Sequence, residues 1–110
     1  MKVHLIKERT IRKYVCWNPQ SSASFDDWIL KARSADWIKP EDIKATFGSA
    51  DLIGKKSLRV VFNISGNNYR MICKYAFGEN EVHLFICWIG THSEYSQLCK
   101  MEKQFTVNVY

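Results

Sequence analysis

A chain of 110 residues is long enough for one compact domain, spanning 1–110, with a small but real core. Its 46% hydrophobic and 14% aromatic content excludes a disordered chain, and its longest uninterrupted apolar run, Leu84 to Ile89, excludes a bilayer span at that point. Sixteen Lys and Arg against 11 Asp and Glu leave a net charge of +5, which points toward phosphate-rich or acidic partners.

The N-terminal MKVHLIKERT is too polar for a signal peptide, and Val3–Ile6 within it has the make-up of a short edge strand. Lys7 to Val15 carries Ile11, Tyr14 and Val15 at helical spacing. Asn18-Pro19 stops that helix and starts the next, whose Phe25, Trp28, Ile29 and Ala32 form an i, i+3, i+4, i+7 stripe. Asp26 and Asp27 near its start and Lys31 and Arg33 near its end complement the helix dipole. Trp37-Ile38 reads as an apolar plug, and Pro40-Glu41-Asp42 opens a short helix that Gly48 closes.

A basic turn, Gly54-Lys55-Lys56-Ser57, leads into three strands at about 58–64, 68–77 and 81–89. Ser65-Gly66-Asn67 and Gly78-Glu79-Asn80 have the chemistry of hairpin turns. A helical turn is predicted from Thr91 or Ser93, and FTVNVY at 105–110 reads as a final strand. The pattern is α+β, with the early helices packed on one face of a small, mainly antiparallel sheet. Trp28, Trp37, Phe62, Met71, Tyr75 and Leu84 are expected inside. Cys16, Cys73, Cys87 and Cys99 form no C-x-x-C pair, so they read as reduced thiols of a cytoplasmic protein.

Period-two alternation places Tyr69, Met71, Cys73, Tyr75 and Phe77 on the core side and Arg70, Ile72, Lys74 and Ala76 on a face expected to be open. Arg70 and Lys74 then stand about 13 Å apart, four residues at ~3.3 Å each. Arg59, in the strand before, can join them if the register allows. An arginine held rigidly after a tight turn suits bidentate phosphate binding. Lys74 has the bland alternative of a solvated strand residue, as do Lys55 and Lys56 in their turn. His92 and Tyr95, one helical turn apart at the end of a strand, can share proton transfer or simply pack on the sheet edge. His4 and His83 read as structural.

The ordered set Trp17…Pro19, Trp28, Ala35-Asp36-Trp37, Ser49-Ala50-Asp51, Val61-Phe62-Asn63-Ile64, Gly66-Asn67, Tyr69-Arg70 and Gly90-Thr91-His92-x-x-Tyr95 resembles the HigB toxin family, a branch of the RelE-like toxins of type II toxin–antitoxin systems. The resemblance runs over about residues 1–98. It implies an endoribonuclease, an mRNA interferase acting on mRNA at the translating ribosome. It also implies a HigA-type antitoxin with a helix-turn-helix as the neutralising partner in a hetero-oligomer. Arg70 matches the arginine that ends N-x-Y-R and would contact phosphate; His92 and Tyr95 match T-H-x-x-Y and would belong to the active site. Lys55, Lys56, Arg59 and Lys74 have no motif match, and their phosphate-binding role rests on strand geometry. Ser96 stands where relatives commonly carry an acid, and the tail Lys100–Tyr110 lies beyond the resemblance.

The implied chemistry is attack of a ribose 2′-oxygen on the adjacent phosphorus, giving a 2′,3′-cyclic phosphate and a 5′-hydroxyl. It needs one proton removed, one delivered and a doubly charged phosphorane stabilised. No Asp/Glu/His cluster marks a two-metal site, so neither metal nor cofactor is expected. The alternative is a non-catalytic RNA- or protein-binding domain on the same scaffold.

Overall fold

The computed structural model describes all residues, 1–110. The chain forms β1 (Lys2–Ile6), α1 (Glu8–Trp17), a 3₁₀ turn at Pro19–Ser21, α2 (Ser22–Ser34), α3 (Asp42–Thr46), β2 (Asp51–Ile53), β3 (Arg59–Ile64), β4 (Tyr69–Phe77), β5 (Glu81–Thr91) and α4 (His92–Lys100). This is an α+β fold around one five-stranded sheet of order β1-β5-β4-β3-β2. β2 through β5 run as an antiparallel meander, whereas β1 lies parallel to β5, with Lys2 opposite Glu81 and Ile6 opposite Phe85.

The α2 stripe behaves as its spacing demands. Phe25, Trp28, Ile29 and Ala32 are all buried on the sheet. Trp28 meets Phe62 edge-on at 5.1 Å between ring centroids, and Phe47 meets Phe62 at 5.1 Å. Trp37 is buried with its indole N–H donating to Thr46 Oγ1 at 2.8 Å, but its neighbour Ile38 is 77% exposed, so only half of the expected plug is internal. Met71 and Leu84 are fully buried, and Tyr75 is half-buried at the rim of the same core.

The other face of the sheet differs from expectation. It is not open: Val61, Ile72, Cys87 and Leu98 make a second small core, against which Ile53, Trp88, Tyr95 and Val107 pack. Two elements cover it, α4 and the tail that follows. The tail is not the final strand read from FTVNVY; it crosses the face as turns and irregular chain. Val109 N–H donates to Cys87 O at 3.0 Å, and the Arg59 guanidinium donates to Val107 O at 2.6 Å. Those polar anchors hold an irregular path where ladder pairing would demand a free strand edge, and this stretch has none beside it.

Candidate functional site

Two junctions build the site. The first is the β3–β4 turn, residues 65–68, in which Ser65 and Gly66 both take left-handed backbone, with φ of 55° and 62°. The second is the passage from β5 into α4. They are tied together by His92 N–H, which donates to Asn68 O at 3.0 Å. Register does the rest: Arg70 faces Asn63 on one side and Gly90 on the other, while Tyr69 faces Thr91.

A bulge in β5 decides which side chains reach this end. Ile72 pairs with Trp88 and Cys73 with Ile86, so Cys87 is an extra residue between them. Val82, Leu84 and Ile86 face the main core on even numbers, but after the bulge Ile89 faces it on an odd number. Cys87 and Trp88 therefore both turn toward the second face, as a bulge re-aims residues near sheet ends. The Trp88 ring then lies over Gly90: a Cβ added there would sit 2.4 Å from Trp88 Cη2. Only glycine permits that approach.

α4 starts on a reciprocal cap. Thr91 Oγ1 accepts from Glu94 N–H at 3.1 Å, and Glu94 Oε1 accepts from Thr91 N–H at 2.8 Å. This fixes the first turn, on which His92 is exposed and Tyr95 half-buried. The Tyr95 ring packs on Trp88 at 6.1 Å between centroids. Burial pushes the Tyr95 phenol well above its ordinary value, with the nearby Cys99 thiol and Asp51 carboxylate adding to the rise; the Arg70 guanidinium pulls it back in part. Arg70 and Tyr95 thus share one electrostatic environment. Ser96 Oγ donates back to His92 O at 3.1 Å, a role within the helix.

Arg70 is only 7% exposed. Its Nη1 donates to Tyr69 O and its Nη2 to Asn67 Oδ1, both at 3.0 Å. The guanidinium is positioned rather than swinging, and three of its five N–H donors remain for a ligand.

The seven candidate residues fall into two groups. Arg70, His92 and Tyr95 gather at the turn end. Arg59 and Lys74 face each other in register further along β3 and β4, with the exposed Lys55–Lys56 turn at the same end of β3. Arg59 is 7% exposed and bonded to tail carbonyls, so it holds the tail in place as well as carrying charge. Lys74 is exposed beside it. His4 and His83 flank Glu81 at 2.8 and 2.9 Å, a cluster on the β1–β5 pair. Sequence reasoning missed Asn67, Asp51 and Trp88 as neighbours of the site. Asn67 was within reach of it, three residues before Arg70 in a turn; Trp88 was hidden by the bulge.

A comparison with curated proteins finds no match. A protein-family model for the HigB toxin, described as the RelE-like toxic component of a toxin–antitoxin system, matches residues 21–98, a span that includes α2, the whole meander and the start of α4.

Proposed function

The chain belongs to the HigB toxin family of RelE-like toxic components of toxin–antitoxin systems, and from that premise we propose that it is an mRNA interferase acting through Arg70, His92 and Tyr95. What supports this reading is a fixed, nearly buried guanidinium within electrostatic reach of a half-buried phenol, with the exposed His92 opening the same α4 turn where its backbone N–H meets the 65–68 turn. Arg70 holds the scissile phosphate and takes up charge as the phosphorane forms. Tyr95, its phenol held protonated, donates toward that phosphate or the departing 5′-oxygen. His92 accepts the 2′-hydroxyl proton, a role open to an imidazole exposed at the mouth of the site. Lys55, Lys56, Arg59 and Lys74 supply the long-range attraction for the backbone of the RNA.

In this reading the message is cut on the translating ribosome in the cytoplasm without metal or cofactor, and a HigA-type helix-turn-helix antitoxin neutralises the toxin in a hetero-oligomer. The test is expression without antitoxin. Growth arrest with mRNA cleavage is expected from the native chain, and His92→Ala should lose about 10²- to 10⁴-fold in cleavage rate while melting normally. A well-folded Arg70→Lys/His92→Ala chain that still arrests growth and cuts mRNA overturns the site. A second reading, a non-catalytic RNA- or protein-binding domain, draws on the internal hydrogen bonds of Arg70, which suit a structural arginine. It requires that the unpartnered chain be tolerated by the cell.

A further inference from the structure

α1 carries charge that the site does not use. Its Glu8 is paired with Arg33, and Arg12 with Asp26, so those groups are internally neutralised. Arg9 and Lys13 make no ion pair, and with Trp17 they stand at i, i+4 and i+8 on one helix face, about 12 Å from end to end. Trp17 is 87% exposed, the most exposed large apolar side chain of the protein. Its indole face is free for stacking beside two cations that make no ion pair.

These residues line a concavity of about 360 Å³ together with Lys7, Tyr14 and Tyr110. Lys7 and Tyr110 also line a second concavity of about 440 Å³, on the α4 side of the sheet, where Arg59, Lys74 and Phe85 complete the wall. The two share Lys7 and Tyr110 as walls and so adjoin around the end of β1, making together one bent, grooved surface. No Asp or Glu lines either part. Lys7 at the bend has left-handed backbone, φ 66°, which a residue with a Cβ adopts only at a cost. The α1 part also touches the site: the Tyr14 ring meets Tyr69 edge-on at 6.1 Å, and Tyr69 is the register partner of Thr91, the cap before His92.

We propose that this groove is a track for single-stranded RNA, with phosphates on Lys7, Arg9, Lys13 and Lys74 and a base stacked on the exposed Trp17 indole. Unpaired cations interleaved with aromatic faces and no acid in the wall fit a flexible polyanion with stackable bases. The proposal rests on the endoribonuclease reading for what the track feeds, but its binding prediction stands apart from cleavage.

The experiment uses the full chain with His92→Ala, so that the RNA stays intact, and a fluorescein-labelled 12-nucleotide RNA. Trp17→Ala should weaken binding about 5- to 150-fold, the equivalent of ~1–3 kcal/mol of base–aromatic stacking. Arg9→Gln/Lys13→Gln should lower the slope of log K against log salt by about 0.7 per cation removed. Both changes are on exposed side chains, and melting should be unaltered. Photo-crosslinking of 5-iodouridine RNA should label Trp17 or Tyr110. Unchanged affinity and salt slope in both variants, with crosslinks elsewhere, overturns the track. So does binding of poly-glutamate at this groove that RNA does not displace, which would make the occupant an acidic protein segment. In chains with His92 intact, cleavage that ignores Trp17→Ala overturns the track alone. Trp17-dependent binding by a chain that cuts no mRNA on translating ribosomes overturns the nuclease reading alone.

Discussion

A single substitution at Arg70 mixes a proposed role with a structural one. Its guanidinium is expected to hold phosphate, yet it also satisfies Tyr69 O and Asn67 Oδ1 at a position only 7% exposed. Arg70→Ala should therefore lower stability by about 1–3 kcal/mol, the range for leaving buried polar partners unmade. It should also cost about 2–4 kcal/mol of transition-state stabilisation. Thermal melting reads the first and single-turnover cleavage below the melting range reads the second. Arg70→Lys keeps the charge and loses the fork, so its activity should stay well below native. Tyrosine 14 offers a cleaner readout of pH. Burial first, and then the Glu94 carboxylate, raise its phenol to about 12 from an ordinary 10.0. The unfolded chain then releases this proton first, so the stabilisation is whole below pH 10 and is lost as pH rises toward 12. Tyr75, Tyr95 and Tyr110 shift in the same direction. The melting temperature should fall across that window, and less steeply in Tyr14→Phe.

Among the elements, α4 is the one that carries two of the three proposed site residues and whose place the sequence left undefined. T-H-S-E at its start carries a capping box that can be read from spacing alone, and Thr91→Ala should cost about 1 kcal/mol of stability. Because the same cap aims His92 and Tyr95, cleavage should drop by more than the stability loss explains, and a melting curve beside a rate measurement separates the two. The α2 stripe, β3 and β4 were legible because a single period ran through each of them, and β5 was legible as far as Ile86 for the same reason. What escaped was whatever broke a period. The Cys87 bulge flips the parity of β5, so a strict alternation misplaces everything after Ile86, including the Trp88–Gly90 stack. The covered second face escaped for a different reason: alternation marks Arg70, Ile72 and Lys74 as sharing a side but cannot tell solvent from a short helix and a tail held by Arg59.

For the molecule as a whole, charge sets the partners. A chain of net charge +5 should be met by an acidic segment of its antitoxin. The isolated complex should bind and cleave RNA poorly, and its association rate should fall as salt rises from 50 to 300 mM, on the scale of the ~8–10 Å screening length. A pure complex with undiminished cleavage counts against this. The resemblance to HigB toxins lies in motif pieces spread over most of the chain, and the sheet explains the spread: 66–70 and 90–95 lie in different segments but adjoin through the Arg70–Gly90 register.

That sheet also has an order of assembly imposed by synthesis. β1 has one ladder partner, β5, and Ile6 must wait for Phe85 to appear. Between Ile6 and Glu81, about 75 residues must be made, ~4–15 s at ~5–20 residues per second. Throughout that interval the start of the chain has no sheet to join, and neither His92 nor Tyr95 yet exists. A nascent chain arrested before residue 81 should be digested rapidly by protease, while one extended past Tyr110 and clear of the exit tunnel should resist. In a toxin assembled this way, the residues proposed for its site come together only when its own translation is nearly over.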